Sequence, residues 1–132
     1  MGLDNGIRVK GIPEEDKKKI PYYNENWGDF LEEGEIEPIY WRKCWGLRRE
    51  VISVLHMSKD EFKKEIDPED IPALIRALMP FLSRDYWDRD ADSIWEYDEY
   101  FQTIYKNLVF LEWLKYYYKD HPDIEVYFYD SY

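Results

Sequence analysis

A long apolar pattern between residues 93 and 121 constrains the fold of this chain more than any other feature of its sequence. Apolar residues recur there at helical spacing in two adjoining stripes, and Pro122 marks the end of the predicted helix. Asp92 or Ser93 can cap its start. About 26 residues at roughly 1.5 Å each give a helix of about 39 Å, so we expect the other elements to pack along it. The stripes consist of Tyr97, Phe101, Ile104, Tyr105, Leu108 and Leu111, and of Val109, Trp113, Leu114 and Tyr117.

Two shorter helices are predicted in the middle of the chain. The first spans about 38–57, because Pro38 suits the first turn of a helix and apolar residues follow at helical spacing. These residues are Trp41, Cys44, Trp45, Val51, Ile52 and Leu55. The second helix starts near Asp67-Pro68 and ends near Leu82, and Ser58 and Glu61 before it have the form of a capping box. Pro80 is expected to kink or end this helix.

The two ends of the chain have the alternation of β-strands. Ile7, Val9 and Ile12 alternate with polar residues in segment 1–12, and a similar alternation occupies 124–129. The segment 13–34 has no sustained period and is predicted as an ordered loop pinned by its aromatic residues, which are Tyr22, Tyr23, Trp27 and Phe30. We therefore predict a single α+β domain over residues 1–132. It is mainly helical, with three helices, the last long and central, and a small sheet that pairs the N- and C-terminal strands.

Composition limits the kinds of partner. The formal net charge is −11, which opposes direct binding of nucleic acid or of an anionic membrane. The lone Cys44 and the absence of a basic-then-apolar start predict a cytoplasmic protein. Aromatic residues make up 19% of the chain, more than one small core can hold, so a homodimer through exposed rings is possible.

Familiar catalytic motifs are missing from the sequence. It has two histidines, His56 and His121, and lacks a glycine-framed serine, a phosphate-binding glycine loop and a zinc-type cluster. We therefore expect a protein that is not an enzyme and that needs no cofactor.

The segment 88–99 partly fits a calcium-binding loop. Its acidic residues fall at the ligand positions of an EF-hand, with Asp88, Asp90, Asp92 and Glu99 at positions one, three, five and twelve. Ser93 stands where the sharp turn of that loop calls for glycine. The alternative is an acidic helix start, favoured by the helix dipole.

The most informative segment is cationic. Residues 41–49 hold four basic side chains and no acid in a chain of net charge −11. On the predicted helix Arg48 falls on the apolar stripe, where an unpaired guanidinium would be costly, so it requires a partner. An internal carboxylate, such as Asp4 or one of the 85–99 cluster, is one possibility. The other is a nucleotide-like anion, for which we predict the ligand-binding residues Arg42, Trp45, Arg48 and Arg49.

Three motifs give the chain a resemblance to known sequences. The opening Met-Gly-Leu-Asp-Asn-Gly-Ile, the segment Tyr-Trp-Arg-Lys-x-Trp-Gly-Leu-Arg at 40–48 and the closing Tyr-x-Tyr-Asp-Ser-Tyr resemble small uncharacterised proteins encoded by phage and prophage genomes. The resemblance implies an accessory role in infection, such as blocking a host defence.

The leading functional hypothesis is a non-enzymatic binding protein of this phage type. It would sequester a nucleotide-like ligand or bind a host protein. Alternatives are a calcium-binding protein and an acidic mimic of DNA that inhibits a host nucleic-acid-binding protein. The mimic would use the acidic row Asp85, Asp88, Asp90, Asp92, Glu96, Asp98 and Glu99.

Overall fold

A computed structural model describes residues 4–90 and 96–131, and these residues form a four-stranded antiparallel sheet and five α-helices. The strands are β1 (Asp4–Lys10), β2 (Glu35–Arg42), β3 (Lys63–Glu65) and β4 (Glu125–Ser131). The helices are α1 (Glu14–Lys17), α2 (Trp45–Leu55), α3 (Asp70–Leu78), α4 (Arg84–Asp90) and α5 (Tyr97–Asp120). The α+β class is confirmed. The predicted three helices and two strands are matched in part by α2, α3, α5, β1 and β4, and the described residues add the helices α1 and α4 and the strands β2 and β3.

The predicted pairing of the two ends of the chain is confirmed. In the strand order β2-β1-β4-β3, β1 and β4 lie at the centre, antiparallel, with Ile7 opposite Phe128. Both side chains are fully buried. The two outer strands, β2 and β3, are therefore the edges of the sheet.

The predicted start of the first helix is wrong, because residues 35–42 form β2. Ile39 and Trp41 are buried while Tyr40 and Arg42 are exposed, the alternation of a strand. A register shift opposite Ile7 and Val9 leaves two residues between the inward-facing Ile36 and Ile39, a spacing that resembles a helical one. Pro38 lies in an edge strand, where its missing N–H group costs no ladder hydrogen bond.

The rest of the middle segment differs less from the prediction. Helix α2 starts at Trp45, after Lys43 takes a left-handed backbone conformation. The backbone N–H of Ser58 donates to the Glu61 carboxylate at 2.8 Å, but this contact closes a turn before β3 and not a helix. Helix α3 ends at Leu78 and continues as a 3₁₀ turn that contains Pro80, as expected of an interior proline.

Helix α5 is the predicted central helix. It has 24 residues, begins after Glu96 and ends two residues before Pro122. Its proposed caps, Asp92 and Ser93, lie outside the described residues. The side chains of Ile104, Leu108, Leu111 and Leu114 are buried in the hydrophobic core that the helices share with one face of the sheet.

The other face of the sheet is covered by tyrosines and paired charges. The Tyr129 ring lies over Gly6, where an added Cβ would stand 2.6 Å from the Ile39 carbonyl oxygen and 2.8 Å from the ring. Arg8 stacks on this ring at 4.2 Å and its Nε donates to Glu37 at 2.7 Å. This face of the sheet is thus closed by its own side chains.

Candidate functional site

The structure separates the residues of the predicted cationic site. Arg42 is the last residue of β2, whereas Trp45, Arg48 and Arg49 lie on α2. The prediction that all four residues lie on one helix is therefore wrong, because Arg42 belongs to a strand. Arg42, Trp45 and Arg49 are exposed, and the Arg48 guanidinium lies 5.7 Å from the Trp45 ring centre.

An internal carboxylate binds Arg48. Its Nε and one terminal nitrogen donate to the two oxygens of Asp130, at 2.7 and 2.8 Å. Asp130 is 8% exposed and also accepts a hydrogen bond from the buried side chain of Asn5. The prediction that Asp4 or an acidic residue of segment 85–99 pairs with Arg48 is therefore wrong, because the partner is Asp130. Continuing the alternation of Val126 and Phe128 by one step predicts that Asp130 faces inward, a signal present in the sequence.

Helix α4 overlaps the start of the predicted calcium-binding loop, 88–99. Helix α4 runs through Asp90, so the first three positions of the loop have helical backbone. Asp92 lies outside the described residues, and Glu99 lies in the first turn of α5. Within 4–90 and 96–131, no three His, Cys, Asp or Glu residues are grouped to hold a metal ion.

A second region has the shape of a binding site, and we call it the β2 groove. It has a volume of about 550 Å³ and lies between the loop 21–30, the edge strand β2 and helix α5. Its aromatic walls are Tyr22, Trp27, Phe30, Tyr40 and Phe110. Its polar residues include Asn24, Asn26, Asp29, Glu37, Lys106 and Asn107. The volume and the mixture of rings with a few polar groups are typical of ligand and peptide sites.

The loop presents two aromatic rings through unusual backbone geometry. Tyr22 and Phe30 have φ values of 58° and 64°, in the left-handed region that bulky residues rarely adopt. Phe30 is fully exposed, so it does not pin the loop as predicted, whereas Tyr22, although 53% exposed, meets the Tyr105 ring of α5 edge-on at 6.3 Å. Tyr23 and Trp27 do pack against the core, and Trp27 meets Phe110 edge-on at 6.3 Å. Strained backbone that places apolar rings in solvent suggests a functional constraint.

Asn107 of α5 supplies a buried polar group to the groove. The Trp41 Nε1–H donates to its Oδ1 at 2.7 Å, which fixes the orientation of the amide. Asn107 is 4% exposed and lines the groove, and its Nδ2 donates to no group among the described residues. The amide nitrogen is therefore a donor available to an occupant of the groove.

Tyr40 gives the groove a polar rim. Its hydroxyl donates to Asp4 Oδ1 at 2.6 Å. Burial, with this hydrogen bond, raises the pKa of Tyr40 to about 12, so the hydroxyl stays protonated at neutral pH.

Comparison with known proteins gives no family for this chain, since no family model, curated protein or solved structure matches it. Among the described helices, none combines the length and the apolar character needed to cross a membrane.

Proposed function

We propose that the protein is a non-enzymatic binding protein that acts by occupancy and holds a segment of a partner protein in the β2 groove. The observation that carries the proposal is the exposed Phe30 ring, held by a left-handed backbone in the same groove as the free amide donor of Asn107. Aromatic walls with a few placed polar groups are typical of binding sites, and a few large anchoring side chains carry most of the energy of a protein interface.

The proposed setting is infection, where the protein would bind and block a host protein, for example one that serves in defence. This part rests on the resemblance to phage and prophage proteins. Bacterial lysate is therefore the first source in which to seek the partner.

The other hypotheses have less support. A nucleotide-like ligand at Arg42, Trp45, Arg48 and Arg49 was inferred because Arg48 needed a partner, and Asp130 now fills that need. DNA mimicry and a homodimer stay predictions, since neither gains a specific observation from the described residues.

Photo-crosslinking at Phe30 tests the proposal. Benzoylphenylalanine at position 30 should crosslink a defined bacterial protein, and the same residue at position 116 should not. Tyr116 is the matched control because it is also an exposed aromatic residue, 61% exposed, on α5 outside the groove. Identical products from both positions would contradict a specific site.

Substitution of Phe30 then separates binding from folding. Phe30→Gly should weaken binding of the purified partner by about 30-fold or more, as for a hot-spot ring. It should leave the free energy of unfolding unchanged or raise it by up to about 1 kcal/mol, because glycine tolerates the left-handed backbone. Urea unfolding and titration calorimetry measure the two quantities. A variant that still binds like the native chain would overturn the proposal.

A further inference from the structure

The edge of β2 that borders the groove is not paired with another strand. Strand β2 is outermost in the sheet and pairs only with β1. Within the described part of the chain, the backbone of residues 36–41 makes no hydrogen bond outside the sheet. Pro38 has no N–H group to offer at this edge, and the other unpaired N–H and C=O groups form a template for an additional strand.

The groove has room for such a strand. Pro38 and Tyr40 line it from the β2 side, while Thr103 and Asn107 line it from α5. A cleft between an edge strand and a helix is a common arrangement for binding an extended peptide, whose backbone pairs with the edge while alternate side chains enter the cleft. The Nδ2 donor of Asn107 is suited to a carbonyl oxygen of that peptide.

The loop and the strand that border the groove are acidic, which favours a basic occupant. The segment 20–41, which forms the loop and most of β2, contains no Lys or Arg. Its acidic residues are Glu25, Asp29, Glu32, Glu33, Glu35 and Glu37. Arg8 and Lys10 pair with three of them, whereas Glu25, Asp29 and Glu33 form no ion pair with any described residue. Among the described residues that line the groove, the acids are Asp29 and Glu37 and the basic residue is Lys106. Glu37 is paired with Arg8, so Asp29 is the lining acid without an ion pair, and the Lys106 Nζ lies 5.4 Å from the Tyr22 ring centre.

The same charges disfavour two other occupants. A second copy of β2 carries two acids, Glu35 and Glu37, and one basic residue, Arg42, so it complements an acidic border less well than a basic segment does. A nucleic acid would be repelled by the acidic residues and by the net charge of −11.

We propose that β2 accepts an extended segment of a partner protein as a fifth strand, with a lysine or arginine side chain of that segment between the aromatic rings and Asp29. This inference rests on the proposed function and specifies its partner. Rings beside a carboxylate suit a cation, because the ring faces and the acid both attract positive charge.

A displayed library of random dodecapeptides provides the probe. Peptides should be selected on the full chain and counter-selected on Phe30→Gly. The selected peptides should be rich in Lys or Arg, and Asp29→Lys should weaken their binding by about tenfold or more, since it replaces attraction by repulsion. Asp123→Lys is the matched control, because Asp123 is an exposed acid beyond the far end of α5.

Backbone methylation of one selected peptide then tests strand addition itself. In an added strand, alternate N–H groups point to the edge of β2 and the others point away. N-methylation of one alternate set should weaken binding by about tenfold or more, and methylation of the other set should change it by less than about threefold. Bound peptide should also slow amide hydrogen exchange within residues 39–41.

The outcomes distinguish this inference from the proposed function. Equal sensitivity of both methylated sets overturns strand addition while leaving the groove as a binding site. Selected peptides without basic residues overturn the charge assignment. If no peptide depends on Phe30 but the crosslink from position 30 persists, strand addition is wrong and the binding function stands. If no peptide depends on Phe30 and position 30 gives no crosslink, strand addition and the proposed binding function are both wrong.

Discussion

At the scale of single residues, the pair of Arg48 and Asp130 decides how the cationic segment is used. Asp130 is buried, so removing its cation leaves a charge in the interior without its strongest partner. The guanidinium binds in a bidentate geometry that lysine cannot reproduce. The role of Arg48 is thus to join helix α2 to the central strand β4.

Replacing Arg48 should therefore destabilise the fold. We expect Arg48→Ala to lower the free energy of unfolding by about 3–5 kcal/mol, the usual effect of breaking a buried ion pair. Arg49→Ala, an exposed neighbour, should change it by less than about 0.5 kcal/mol. Urea denaturation followed by circular dichroism measures both. If Arg48→Ala lowers the free energy of unfolding as little as Arg49→Ala does, Arg48 is not structural, and the hypothesis of an external anion is restored.

Residue-scale reasoning recovered part of this arrangement. The cost of burying a guanidinium correctly predicts that Arg48 needs a partner, but it cannot say which one. The partner lies 82 positions away in the sequence. Only the pairing of β1 with β4 and the packing of α2 fix that choice, and these are tertiary facts.

At the scale of elements, strand β2 shows why local patterns mislead. The register shift beside Ile36 and Ile39 interrupts the strict alternation of a strand, so the pattern imitates a helix. The strand pattern of β4 has no such interruption and was predicted correctly, as was the long helix α5, although Tyr105 of its predicted apolar stripe is 41% exposed. The prediction therefore failed where a bulge changed the period of the pattern. Because the β2 segment was predicted as helix, the β2 groove beside it was not predicted.

The tyrosine-covered face of the sheet gives the fold a defined response to alkaline pH. The Tyr127 hydroxyl donates to the buried Glu35, and burial together with this bond raises the pKa of Tyr127 to about 12, from a usual value of 10.0. The folded state therefore keeps this proton at a pH where the unfolded chain has lost it. The stability that the proton supplies is complete below pH 10 and is lost as the pH rises toward 12.

Tyr127→Phe should reveal this linkage. At neutral pH the variant should be less stable by about 1–3 kcal/mol, because Glu35 loses a donor. The difference from the native chain should shrink between about pH 10 and about pH 12. Thermal unfolding across this range checks the expectation, with Tyr116→Phe as the exposed control. A difference that does not depend on pH would contradict the assigned role of the phenol.

At the scale of the whole molecule, the β2 groove is assembled from parts that are distant in sequence. The loop 21–30, residues 37–40 and residues 103–110 meet only when α5 lies beside the edge of the sheet. The sequence marks each part as aromatic or acidic, yet their combination depends on the strand order. A site of this kind is invisible to motif analysis, because no single segment contains it.

The net charge of −11 should attract a basic segment before the two molecules touch, and this attraction should raise the association rate. The screening length falls from about 10 Å at 0.1 M salt to about 3 Å at 1 M. The association rate of a selected basic peptide should therefore fall by about tenfold across this range, while its dissociation rate changes much less. Stopped-flow fluorescence measures both rates.

Two sets of neutralising changes separate steering from contact. Asp120→Asn with Asp123→Asn removes distant charges, since Asp120 lies ten residues beyond Phe110, about 15 Å along α5. This pair should lower only the association rate. Asp29→Asn should in addition raise the dissociation rate, because Asp29 lies in the groove. If Asp29→Asn and the distant pair have the same effect, the basic segment does not bind at the β2 groove, and its attraction to the protein is only long-range.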